Sequence, residues 1–209
     1  MSEKREKKRT RNVAIFLGIL VLVVIAYAIY VNIFRAPTYP QTYIPKPYTG
    51  NTTAKVVITE YADFVCPACG MYGEPVMRTL RAEYQDRVAF RFVHFPLVNI
   101  HPESFRAAEA SECANDQGKF WQYHDKLFEN QKNLGTELYY KIAENLGLDI
   151  KQFKDCLDSG AKKEIVMRDL RESLSKNLKG TPSFFVNNIY VENYAYENLK
   201  KIIDEELKK

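Results

Sequence analysis

Val56-Val57-Ile58-Thr59-Glu60-Tyr61-Ala62-Asp63-Phe64-Val65-Cys66-Pro67-Ala68-Cys69 runs from a β-branched stretch into two cysteines spaced by two residues. The first half has the residue types of a short strand, ended by Ala62-Asp63. Residues 70–84 have helical spacing, with Met77, Leu80 and Tyr84 at i, i+3 and i+7. The cysteine pair therefore lies where a strand hands over to a helix. Unpaired backbone N–H groups and the helix dipole at such a start favour a thiolate. Cysteines so placed have pKa values of roughly 3.5–7.5 rather than about 8.5. Cys66 is expected to be an exposed nucleophile that forms a mixed disulfide, with Cys69, one turn further in, resolving it. Two other readings stay open. Cys66 and Cys69 could be half of a zinc site, which wants four nitrogen or sulfur ligands. Against that, Cys113 and Cys156 are single and distant, and His94, His101 and His124 share no ligand spacing. The pair could also be a structural disulfide.

Beyond the helix, residues 88–95 (VAFRFVHF) read as a second strand. Pro75 is expected to kink the helix between them without ending it. Strand, helix and strand in this order form a βαβ unit. Residues 102–178 are helical in pattern. One helix carries Phe105, Ala108, Glu112 and Cys113, another Phe120, Tyr123, Leu127 and Phe128, and a third covers 138–146; residues 149–157 and 161–178 supply two more. After Gly180-Thr181-Pro182, residues 183–186 and 189–191 flank Asn187-Asn188, a two-residue turn suited to a hairpin. An amphipathic helix over 196–207 closes the chain. The expected class is α/β: a small sheet with a helical insertion, about residues 102–179, between a βαβ half and a ββα half.

With 209 residues, 46% of them hydrophobic, the chain can bury one good core and carry an appendage. The formal net charge of +4 is accounted for by residues 1–12, where Lys4, Arg5, Lys7, Lys8, Arg9 and Arg11 stand against Glu3 and Glu6. The remainder is balanced, which argues against a nucleic-acid surface on the folded domain. Residues 13–31 (VAIFLGILVLVVIAYAIYV) hold no charge over about the ~20 residues a bilayer-crossing helix needs. A transmembrane anchor over 13–34 is therefore expected. The basic tail before it places 1–12 in the cytoplasm and the rest outside. A signal peptide cleaved near Ala28, after Ala26-Tyr27-Ala28, is the competing reading; both versions export the domain. Pro37, Pro40, Pro45 and Pro47 make residues 35–54 a semi-rigid linker, with the folded domain over 55–209.

The run Glu60-Tyr61-Ala62-Asp63-Phe64-Val65-Cys66-Pro67-Ala68-Cys69 resembles the DsbA family of extracytoplasmic disulfide oxidoreductases, particularly its membrane-anchored members. Gly180-Thr181-Pro182-Ser183-Phe184-Phe185-Val186-Asn187 downstream is similar to the same family. So are Ala107-Ala108-Glu109-Ala110 and Gln117-Gly118-Lys119-Phe120-Trp121-Gln122-Tyr123-His124 of its helical insertion. The resemblance covers about 55–209 and implies a thioredoxin-like fold. It implies that Thr181-Pro182 is a cis-proline loop beside the active cysteines, which alone would read as an ordinary turn. With Pro67 and Ala68, that loop would face an extended substrate strand through its main chain. Glu60 matches the family's buried acid, which would carry the proton of Cys69; an exposed strand-end carboxylate is the other reading. Cys113 and Cys156 sit on different helices of the insertion. Outside the cytoplasm such thiols usually pair, as in relatives with a second disulfide, although two buried free thiols remain open.

The implied activity is thiol:disulfide exchange on exported proteins, with no cofactor and no metal. The insertion favours an oxidase, because family oxidases carry it, while the isomerases resembling this family add a dimerisation domain that nothing in these residues looks like. A reductase or isomerase of the same fold is the alternative. An oxidase needs a quinone-linked membrane partner of the DsbB or VKOR type to restore its disulfide. Two further classes are weighed against this reading: an extracytoplasmic metal chaperone using Cys66, Cys69 and a histidine, and a non-enzymatic anchor protein.

Overall fold

Two parallel strands form the centre. β2 (Val56–Ala62) and β3 (Val88–His94) pair from Val56 opposite Val88 to Ala62 opposite His94. Both are almost wholly buried, as strands covered on both faces are. The computed structural model describes residues 16–25, 27 and 47–209. β4 (Ser183–Val186) runs antiparallel to β2, and β5 (Ile189–Val191) returns beside β4. Asn187, at positive φ, makes the turn. It is pinned to β2 by Val57, whose N–H reaches Asn187 Oδ1 at 2.9 Å and whose carbonyl accepts from Asn187 N at 2.8 Å.

One strand lies where the sequence suggests only linker. β1 (Tyr48–Gly50) pairs antiparallel with β3, Tyr48 opposite Arg91, giving the sheet order β1-β3-β2-β4-β5. The folded unit thus reaches back before Lys55. A three-residue edge strand held by backbone bonds needs no hydrophobic pattern, so Pro45 and Pro47 outweigh it in a reading of residue types.

The β2–β3 connection is helical from Pro67 onward. Cys69–Gly73 is a π-turn, closed by the Glu74 N–H on the Cys69 carbonyl, and α1 (Glu74–Tyr84) follows. Pro75 has no N–H for the carbonyl four residues back, so the wider turn absorbs the misfit just before it. Met77, Leu80 and Tyr84 of α1 pack with Val56, Ile58, Phe90, Phe184 and Val186 of the sheet and with Leu199 and Ile203 of α7 (Tyr196–Glu206). Tyr61 and Val93 point to the other face, where Leu170 of α6 (Lys163–Ser175) covers them.

The insertion consists of α2 (Ser104–Asn115), α3 (Phe120–Glu129), α4 (Thr136–Asn145), α5 (Ile150–Asp158) and α6. Its core takes in Phe64, Phe92, Cys66 and Cys69, so the cysteine motif is wedged between sheet and insertion.

The chain falls into two units, Met1–Ile44 and Pro45–Lys209. In the first, residues 16–25 are helical with exposed apolar side chains. Among the described residues no helix is long and apolar enough to cross a membrane. Apart from residue 27, the rest of the span expected over 13–34, the tail 1–12 and the linker as far as residue 46 lie outside the described residues.

Candidate active site

Pro67 opens the helix, where a missing N–H costs nothing, and Cys66 immediately precedes it. The Cys66 carbonyl accepts from Cys69 N at 3.0 Å and Gly70 N at 3.3 Å, closing the first turn beneath the sulfur. Asp63 shapes the loop that delivers it. One carboxylate oxygen accepts from Val65 N at 2.8 Å. The other accepts from Leu97 N at 3.0 Å and lies 2.7 Å from Nδ1 of His101. The loops after β2 and β3 are thereby tied to one buried group.

Cys66 is not the exposed sulfur expected from the sequence, since the residue is only 7% exposed. The Thr181–Pro182 loop, with its cis peptide bond, lies against it, and the Cys66 thiol donates to the Thr181 carbonyl at 3.4 Å. The Cys66 thiol is lowered to about 5. The hydrogen bond from the Cys69 thiol is the largest cause; burial opposes it, and the Thr181 side chain and the N–H groups of Cys69 and Ala68 add to it. Cys69 is fully buried. Burial pushes its thiol well above the ordinary range, and the hydrogen bond and charge of Cys66 push it further.

Glu60 lies on β2, opposite Phe184 of β4 and 1% exposed. Its Oε1 has no hydrogen-bond partner among the described residues. Burial raises this carboxyl to about 8, with the charge of Glu74 adding and that of Arg81 opposing. Gly73 explains how Glu60 comes close to the proline loop. A Cβ there would sit 3.2 Å from Glu60 Oε1 and 3.3 Å from both Cβ and Cγ of Pro182. Only glycine lets the π-turn, the acid and the proline meet without displacement.

Of the other residues expected at the site, Pro67 is exposed, and Ala68, Thr181 and Pro182 are half-buried. Cys113 and Cys156 are bonded to each other across α2 and α5, their Cα atoms 5.9 Å apart. The three histidines go to separate partners: His94 to Glu112, His101 to Asp63 and His124 to Asp125.

Several contributors leave no signal in the sequence. Glu74 accepts from Arg78 at 3.1 Å and Arg81 at 3.0 Å, and Arg81 also reaches Asp125 at 3.0 Å. Glu74, His124 and Asp125 are the one cluster among the described residues with metal-ligand spacing, and it contains neither Cys66 nor Cys69. The Arg81 guanidinium already stands between two of its carboxylates. Gln131, on the short turn after α3, reaches the backbone of the cysteine loop.

The thioredoxin family model matches residues 42–205. The chain is 38% identical over 138 residues to the Na(+)/H(+) antiporter NhaA 3 of Salinispora tropica, covering 66% of this chain but 21% of that protein. It therefore spans about a fifth of the antiporters it matches. It is 33% identical over 169 residues to the probable disulfide bond formation protein D of Bacillus anthracis, covering 77% of each. Oxidised BdbD from Bacillus subtilis superimposes with a TM-score of 0.70 at 28% identity, over 78% of this chain and 94% of that one. With its βαβ and ββα halves, its inserted helices and a cysteine pair at the mouth of the first helix, the chain belongs to the thioredoxin family, in the DsbA-like branch of thiol:disulfide oxidoreductases.

Proposed function

We propose that this chain is an oxidase that gives its Cys66–Cys69 disulfide to exported proteins as they fold. A substrate thiolate attacks the Cys66 sulfur, a mixed disulfide forms, and the Cys66–Cys69 bond breaks with its electron pair going to Cys69. That sulfur, pushed up by burial, takes a proton, and Glu60, raised to about 8, is the donor. A second substrate thiolate then attacks its own bonded sulfur, and Cys66 leaves as a thiolate. The substrate is oxidised and the cysteine pair reduced. A quinone-linked membrane protein of the DsbB or VKOR type restores the disulfide.

One observation carries this direction: the Cys66 thiol lowered to about 5 beside a Cys69 pushed up. A stabilised thiolate stabilises the reduced protein and so makes the disulfide more oxidising, by roughly 30 mV for each unit the thiol falls below ambient pH. Pro67 and Ala68 add no charge between the cysteines, leaving the helix start, Cys69 and the Thr181 side chain as the stabilising groups. Thr181 and Pro182, with Pro67 and Ala68, form the surface on which an extended substrate strand lies against main chain. Residues 13–34 anchor the enzyme with 1–12 in the cytoplasm and the catalytic domain outside. In the alternative arrangement a leader is removed near Ala28.

Trapping tests the reading. Cys69→Ser removes the resolving sulfur, so an oxidised extract of exported proteins should yield covalent adducts with Cys66 that dithiothreitol releases. Cys66→Ser should yield none. Absence of adducts with Cys69→Ser, in protein whose Cys66 alkylates normally, overturns the proposal.

A further inference from the structure

Gln131 lies on the turn Gln131–Asn133, which closes α3 through Asn133 N on the Asn130 carbonyl at 2.9 Å. Its side-chain Nε2 is 2.9 Å from the Phe64 carbonyl and 2.8 Å from the Cys66 carbonyl. Both partners only accept, so the contacting atom is the amide nitrogen and both of its hydrogens are used. The Phe64 ring packs 5.1 Å from that of Phe128, near the end of α3, which brings the turn to the loop. Two residues far apart in the chain are thereby matched. A Cβ on Gly70 would fall against Gln131 Oε1, with Cδ at 3.0 Å and Nε2 at 3.1 Å. Gly70 leaves open the space that the amide fills.

We propose that Gln131 is a positioning residue for disulfide exchange: its amide clamps the carbonyls on either side of Val65, so that the first helical turn holds its free N–H groups on the Cys66 sulfur. This deepens the reading of the site given above and rests on it. The Cys66 carbonyl closes that turn by accepting from Cys69 and Gly70. Without the amide, that carbonyl and the Phe64 carbonyl would hold their negative ends near the thiolate with fewer donors to offset them. The helical insertion thus supplies part of the redox centre.

The test is the thiolate absorbance of reduced Cys66 against pH in the whole chain and in Gln131→Ala, Gln131→Glu, Gly70→Ala and the Gly70→Ala/Gln131→Ala pair. Gln131→Ala should raise the Cys66 pKa by about 0.5–1 unit, the shift one net hydrogen bond supplies. Gln131→Glu, of nearly the same size but unable to donate, should raise it further. Gly70→Ala should reproduce the Gln131→Ala shift by evicting the amide and should add little once the glutamine is gone, since the two changes remove one interaction. A merely structural glutamine would lower the melting temperature of both redox forms and leave the titration unmoved, which overturns the proposal. Additive shifts in the pair overturn it as well. An ordinary thiol pKa in the unaltered protein would instead remove the reading of the site beneath it.

Discussion

At position 66 a largely covered sulfur meets a neighbouring thiol and two backbone N–H groups, whereas at position 69 the same element is wholly closed off from water. This asymmetry sets the pH behaviour. The folded, reduced protein holds Cys66 below its unfolded value. The stability gained is therefore complete above the ordinary thiol pKa and lost as pH falls towards about 5. Melting curves of the reduced and oxidised forms should show the reduced form favoured at pH 8 and its lead shrinking by pH 5. Glu60 has the opposite sign. Its folded value of about 8 lies above the unfolded 4.5, so its favourable contribution is complete below 4.5 and lost as pH rises to 8. Glu60→Gln should therefore stabilise the protein at pH 8 by on the order of 2–4 kcal/mol relative to its effect at pH 4, while slowing disulfide exchange. Chemical denaturation at the two pH values, with an oxidation assay alongside, checks both halves. Cys66, Cys69, Glu60 and Thr181-Pro182 were legible because their types and order carry the family's pattern. The depth of the cover over Cys66 was not, because a loop expected beside the cysteines does not say how much of the sulfur it closes off. Asp63, Glu74 and Gln131 act through contacts that no local spacing encodes.

The element that matters most is the junction of β2 with the helix after it. The π-turn Cys69–Gly73 absorbs Pro75 and carries the glycine against which Glu60 and Pro182 close. Gly73→Ala forces that contact apart. It should cost about 1–3 kcal/mol in denaturant unfolding and slow substrate oxidation, whereas an alanine at exposed Pro75 should do neither to that degree. In the insertion, the Cys113–Cys156 bond closes a 43-residue separation between α2 and α5. Replacing both cysteines by serine should lower stability by roughly 2–4 kcal/mol while Cys66 still forms adducts, a separation that unfolding and trapping measure independently. Strands and helices with a clear period were readable from the chain, including β4, the Asn187-Asn188 turn and β5. β1 was not, because its three residues contribute backbone pairing rather than a pattern of side chains.

Across the whole molecule the redox pair belongs to both halves of the fold. The sheet contributes Glu60 and the Thr181 loop, and the insertion contributes the aromatic packing around Phe64 and Phe92. Sequence order revealed that helices are inserted but not that they wall the site, since that depends on which face each amphipathic helix turns inward. The proposed anchoring by residues 13–34 is tested by fractionation: the full-length protein should stay with membranes through alkaline carbonate washing. A mature mass beginning after residue 28 would assign it instead to a cleaved leader. The central claim, a thiolate stabilised at Cys66 strongly enough to drive oxidation, is tested most directly by equilibrating the Cys66/Cys69 couple with glutathione. A potential on the order of −200 mV or less negative is expected, well above the roughly −270 mV of thioredoxin. A value near the thioredoxin figure contradicts the account.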